Sequence, residues 1–116
     1  MSASFQDFLA ARLPFPGLAA WSARAADRAQ SSGCFANWLT PPKVEQALTR
    51  LALAAEGLQS QRINPIQLCW VFQHVRVYLG LRGDGGCLAL FVENRPDLPP
   101  GQAEGLLAEY VRLTEQ

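Results

Sequence analysis

The side chains with reactive chemistry are few. His74 is the single histidine. As a general base it would need a nucleophile or a carboxylate within hydrogen-bond reach, and no local motif supplies one. It falls beside Gln73 where the pattern predicts a tight turn, so a turn histidine is the expected role. Three cysteines, Cys34, Cys69 and Cys87, are an odd number and show no C-x-x-C spacing. With one histidine and scattered thiols, no metal-ligand set is legible. A catalytic thiolate needs an electropositive neighbour, and none is apparent near Cys34. Cys69 and Cys87 fall inside predicted strands and are expected to pack in the core. Gly83-Asp84-Gly85-Gly86 has the glycine content of a phosphate loop. It lacks the Lys-Ser/Thr that should follow and precedes a strand, so it reads as a hairpin turn. Trp21, Trp38 and Trp70 could stack on bases, but stacking platforms sit in basic grooves.

Composition argues against such a groove. Ten basic and ten acidic residues give a formal net charge of zero. Nucleic-acid binders carry a basic excess or stripe. The tryptophans are therefore expected in the core or at an interface. Charged residues are only 17% of the 116, a surface so poor in charge that a partner is expected to cover part of it. Nine arginines against one lysine fit the same idea, since arginine is enriched at interfaces. Residues 1–116 are expected to form one domain. No basic n-region with an apolar run opens the sequence, and no apolar stretch approaches a membrane span. Unpaired thiols then suggest a cytoplasmic protein.

Prolines and glycines divide the chain. Ser2 to Leu13 reads as a helix with an S-x-x-D cap at Ser4 and Asp7. Gly17 to Ala25 reads as an alanine-rich strand with Leu18, Ala20 and Ser22 on one face. A turn at Asp27-Arg28 leads to a returning strand, Ser31 to Leu39. Thr40 and Pro41 start a long helix ending at Leu58. Its apolar residues, Val44, Ala47, Leu48, Leu51, Ala52, Ala54, Ala55 and Leu58, span an arc of roughly 160°. A helix resting on a sheet needs about 100°. The excess predicts a second neighbour for this helix. Leu53 lies opposite the arc.

Ile66, Leu68, Trp70 and Phe72 alternate on one face of the next strand. Val75 to Leu81 and Cys87 to Val92 follow around the glycine turn, the latter apolar on both faces and so expected at the centre of the sheet. Gln102 to Thr114 closes as a helix whose stripe is Ala103, Leu106, Leu107, Tyr110 and Val111. Short turns between strands predict an antiparallel sheet in an α+β domain.

This order, α-β-β-α-β-β-β-α, resembles the roadblock (dynein light chain) superfamily. The likeness rests on the hairpin Leu18 to Leu39 turning at Asp27-Arg28 and on the long helix after it. It continues through the strand Leu68-Cys69-Trp70-Val71-Phe72 and the hairpin Val75 to Val92 with its turn Arg82-Gly83-Asp84-Gly85-Gly86. The resemblance implies a roadblock/profilin-like, five-stranded antiparallel sheet with the long helix on one face and the terminal helices on the other. It implies a non-enzymatic adaptor or regulator without cofactor or metal, as found in bacterial members. The implied partners are a second copy or a paralogous chain, and a small Ras-like GTPase, with neither nucleic acid nor membrane.

The dimer would be built from the long helix and the following strand, with Val44, Ala47, Leu48, Leu51, Ala54, Leu58, Leu68, Trp70 and Phe72 as its interface. The residues agree on their own terms, since this apolar strand would need a partner if it lies at a sheet edge. Two other readings stand beside this one. One is a small-molecule binding module with a pocket at Trp21, Trp70 or Tyr78. The other is a small hydrolase using Cys34 or His74.

Overall fold

The computed structural model describes residues 2–63 and 65–112. The elements are α1 (Ser2–Arg12), β1 (Leu18–Arg24), β2 (Gln30–Cys34), α2 (Pro41–Ser60), β3 (Gln67–Val71), β4 (Val75–Leu81), β5 (Cys87–Glu93) and α3 (Gln102–Arg112). The strands form one antiparallel sheet in the order β2-β1-β5-β4-β3. β5 is central, as its two apolar faces require, and β2 and β3 are the two edges.

A separate core lies on each face of the sheet. Alternate strand residues point to opposite faces. Ala20, Val77, Leu79, Cys87, Ala89 and Phe91 meet Val44, Leu48, Ala52 and Ala55 of α2. On the other face Leu88, Leu90, Val92, Ala23 and Tyr78 meet Phe8 and Leu9 of α1 and Leu106, Leu107 and Tyr110 of α3. The alanines of β1, poor strand formers in isolation, are explained by this double burial. A strand between two helical layers is fixed by its neighbours, and short side chains let both layers approach.

Several boundaries differ from the sequence reading. α1 already includes Ser2, so Ser4 is not its cap. Leu18 packs with Trp21 and Ala23 on the α1–α3 face, because the β1–β5 register shifts between Leu18 and Ala20 and turns Leu18 over. β2 stops at Cys34, well before Leu39. Beyond it the backbone N–H groups of Phe35 and Ala36 both donate to Ala19 O, which ends the ladder and leaves Phe35 and Trp38 exposed in a loop. Trp38 is thus not a core residue. α2 runs to Ser60, and Thr40 sits at its N-cap with extended backbone but no side-chain cap bond. β3 is shorter than Ile66 to Phe72 by one residue at each end. The expected end of α3 at Thr114 lies outside the described residues. The turn at Gly83 to Gly86 forms as read. Gly85 has φ +95°, where glycine is favoured, and the Gly86 N–H donates to Asp84 Oδ1 at 2.9 Å.

Candidate interaction surface

The long helix has three distinct sides. Val44, Leu48, Ala52 and Ala55 face the sheet and are completely buried. Val44 and Leu48 were expected at a dimer interface. Both are committed to the protomer's own core and have no surface to offer a partner.

About 90° round the helix in one direction lie Glu45, Thr49 and Glu56. This flank is stitched to the β2 side of the sheet. Ser32 Oγ donates to Glu45 Oε2 at 2.9 Å, and Gln30 Nε2 donates to Thr49 Oγ1 at 3.3 Å. The Arg24 guanidinium lies 3.6 Å from Glu56 Oε2. These contacts hold α2 chiefly over β1 and β2.

About 90° in the other direction lie Ala47, Leu51, Ala54 and Leu58. This flank is apolar, and Ala54 is exposed while the other three are half-buried. Below it, Leu68 and Trp70 of β3 are also half-buried, packed against the rim of the α2 core with Val75 and Leu81. Ile66 and Phe72, 65% and 49% exposed, extend this surface along the β3 edge, while Val71, 63% exposed, lies on the opposite face. The second neighbour expected from the wide apolar arc is not found among the described residues. The helix stops short of β3, and apolar surface lies open on both sides of the gap.

Polar contacts fix the shape of the edge. Gln67 Nε2 donates to Glu104 O of α3 at 3.1 Å, tying the start of β3 to the opposite layer. At the far end Asn94 Nδ2 donates to Phe72 O at 2.9 Å, and Asn94 Oδ1 accepts from Arg76 Nε at 3.0 Å. The Asn94 N–H donates to His74 O at 3.1 Å. Asn94 thus clamps the β3–β4 turn and presents Phe72. Its role is not legible in the sequence.

The residues with reactive chemistry do not converge. Cys34 is half-buried, Cys69 exposed and Cys87 buried. The exposure of Cys69 departs from the core position expected of it, because the odd-numbered face of β3 is only lightly covered by α3. All three thiols are pushed above the ordinary value, chiefly by burial. Glu45 adds to the shift at Cys34, and at Cys69 and Cys87 the nearby Arg76 and Arg24 only partly oppose it. An activated thiolate needs the opposite shift.

His74 is exposed at the β3–β4 turn and lines a depression of about 440 Å³ with Trp38, Glu93, Asn94 and Arg95. The charged groups there are already engaged, with Arg95 bridging Glu93 at 3.1 Å and Asp97 at 3.4 Å. Trp21 and Tyr78 lie toward the α1–α3 face and Trp70 toward the α2 face, so no single pocket joins them. Among the described residues no group of three or more His, Cys, Asp or Glu is placed to hold a metal ion, and no helix is long and apolar enough to cross a membrane.

No protein-family model matches this sequence, and no curated protein is similar to it in sequence. Solved structures are similar in shape. The gliding protein MglB of Thermus thermophilus superposes with a TM-score of 0.61 at 14% identity, over 96% of this chain and 85% of that one. MglB of Myxococcus xanthus gives 0.60 at 12% identity, over 82% of this chain and 75% of that one. An MglB structure described as having a tetrameric arrangement gives 0.56 at 13% identity, over 96% and 85% of the two chains. Five antiparallel strands between one long helix and a pair of terminal helices, superposing on these MglB structures over 82–96% of this chain, give the chain the roadblock fold.

Proposed function

We propose that this protein is a dimeric, non-enzymatic adaptor or regulatory module that presents a composite surface to a partner protein. The observation that carries the reading is the open apolar strip made by Ala47, Leu51, Ala54 and Leu58 of α2 with Leu68 and Trp70 of β3 and Phe72 just beyond it. An edge strand without a charged or proline guard is an aggregation hazard unless it is paired. A second copy covers it by two-fold symmetry, each α2 filling the gap beside the other protomer's β3. A small Ras-like GTPase is the partner class that the roadblock resemblance implies. The fold shared with MglB supports pursuing it, and so does an arginine-rich, weakly charged surface.

The test has two stages. Light scattering should give about twice 12.7 kDa for the wild type and the monomer mass for Phe72→Asp, with unchanged circular dichroism. Titration of the dimer into purified Ras-like GTPases, loaded with GDP or a non-hydrolysable GTP analogue, should reveal binding that depends on the nucleotide. A wild-type monomer at all concentrations would refute the assembly. Absence of binding in either nucleotide state, across the small GTPases of the source organism, would refute the partner class.

A further inference from the structure

The β2 edge of the sheet is open in a defined pattern. In an antiparallel strand the N–H and C=O of one residue point to the same side, and those of the next residue point to the other. The Phe35 N–H donates to Ala19 O and the Ala25 N–H to Ala29 O, both at 2.8 Å. In the β1–β2 register, the odd-numbered residues of β2 therefore bond inward. Gln30, Ser32 and Cys34 turn their N–H and C=O groups outward. Among the described residues no strand lies beyond β2, so these groups have no ladder partner. The strand carries neither charge nor proline, the usual guards of an edge.

The two faces beside this edge differ. On the α1–α3 side Gly33 has no side chain, and the Trp21 indole lies so close over it that an added Cβ would run into the ring nitrogen. Trp21 is half-buried and braced edge-on by Phe5, with ring centroids 6.5 Å apart. A residue placed opposite Gly33 by a further strand would form the closer, non-hydrogen-bonded kind of pair, with its side chain beside this indole. On the α2 side Ser32 Oγ donates to Glu45 Oε2 at 2.9 Å. Among the described residues no cation bridges Glu45, which stands half-buried beside the edge.

A second copy of β2 fits this edge poorly. Centred on Ser32, it would bring the two Glu45 carboxylates toward each other, and it would set only Ser31 opposite Gly33. Like charges set across a strand pair are destabilising.

We propose that β2 is a docking edge for an extended segment of a partner protein, which adds as a sixth, antiparallel strand and carries a large apolar residue opposite Gly33 followed directly by arginine or lysine opposite Ser32. Main-chain pairing supplies the affinity of such a complex, and alternate side chains supply its selectivity. Three outward residues exchanging two bonds each give about six bonds. The apolar side chain rests on Trp21. The next residue points to the opposite face, where its cation meets Glu45. Because β2 and β3 are opposite edges, this strand adds without touching the proposed dimer strip and does not depend on it.

The probe is the pentapeptide acetyl-Thr-Leu-Arg-Val-Thr-amide, its leucine placed for Gly33, titrated into the full isotope-labelled chain and followed by amide exchange. Exchange at Ser32 and Cys34 should slow at saturation, while Cys69 on the far edge is unaffected. The same peptide N-methylated at arginine lacks the donor that faces Ser32 O and should not bind. Citrulline in place of arginine should weaken binding about two- to fivefold, and Glu45→Gln should erase that difference. No binding at millimolar peptide, undiminished binding of the N-methylated peptide, or protection at Cys69 in place of Ser32 would overturn the proposal. Protection of Ser32 and Cys34 without peptide, together with a four-chain mass by light scattering, would give the edge to a second copy and overturn it equally.

Discussion

Leu48 and Ala54 lie six residues apart on one helix, yet they should answer to different assays. Leu48 is fully buried between α2 and the sheet. Its cluster includes Ala20, Ala52, Ala55 and Ala89, side chains too short to move into a vacated space. Truncation of a buried leucine costs roughly 2.7–5 kcal/mol, with the larger values where the cavity persists. Leu48→Ala is therefore expected to cost about 4 kcal/mol. For a domain of this length, 1 kcal/mol shifts the midpoint by about 3–6 °C, so melting should fall by roughly 12–24 °C. Ala54 is exposed on the apolar flank, and Ala54→Arg keeps a good helix former, so its cost to the protomer should stay within about 0.5 kcal/mol. It should nevertheless abolish the proposed dimer, because a guanidinium would stand in the gap that a second copy would fill. Dimerisation itself raises apparent stability with concentration. The clean comparison is urea unfolding of Ala54→Arg with and without Leu48→Ala, alongside light scattering of each single variant. A loss under about 1 kcal/mol for Leu48→Ala, or a dimeric Ala54→Arg, would refute the division of α2 into a core side and an open side.

Other positions give independent checks. Ser22 is fully buried, and its Oγ has no hydrogen-bond partner among the described residues; an unsatisfied buried hydroxyl costs about 1–3 kcal/mol, so Ser22→Ala should raise the melting temperature by several degrees. At Gly33 an added Cβ would run into the indole nitrogen of Trp21, so Gly33→Ala should lose about 1–3 kcal/mol in chemical denaturation. The raised pKa of Cys87, caused first by burial, makes its contribution to stability complete below the ordinary thiol value. That contribution is lost as pH rises from there through the folded-state value, because the unfolded chain ionises first. Urea midpoints should therefore fall less steeply with pH above about 9 in Cys87→Ala than in the wild type, and equal slopes would contradict the burial. In native protein at neutral pH, iodoacetamide should modify Cys69 and leave Cys87 untouched until the chain unfolds.

Much of this architecture was legible because periodicity and punctuation are local. The bounds of β4 and the starts of α2, β5 and α3 follow from alternation, proline and glycine. What failed depended on distant partners. Phe35 and Trp38 read as strand because they are apolar, but the ladder ends where both following N–H groups turn to Ala19 O. Leu18 changes face through a register shift set by β5. Cys69 looks like core because it lies in a strand, and only the strand order shows that its strand is an edge. The apolar arc of α2 is indeed wider than the face that the sheet covers. It could not say which third of the arc meets the sheet, so Val44 and Leu48 were grouped with the open flank.

The two edges of the sheet explain why that flank stays open. β2 is Gln30-Ser31-Ser32-Gly33-Cys34, short and polar, and two of its side chains reach up to Glu45 and Thr49 of α2. Those bonds draw the helix toward β2 and away from β3. β3 is Gln67-Leu68-Cys69-Trp70-Val71, without a charge or a proline. A helix centred over the sheet would cover Leu68 and Trp70 and leave little for a second copy. Displaced by its polar flank, α2 instead leaves a trough, walled by Leu51 and Leu58 and floored by Leu68 and Trp70, that only another apolar surface can fill. Replacing Ser32 and Thr49 by valine would remove the polar contacts that hold the helix on the β2 side. The expected result is a folded protein with weakened dimerisation, although neither residue lies near the trough. An unchanged dissociation constant would mean that core packing alone sets the position of α2.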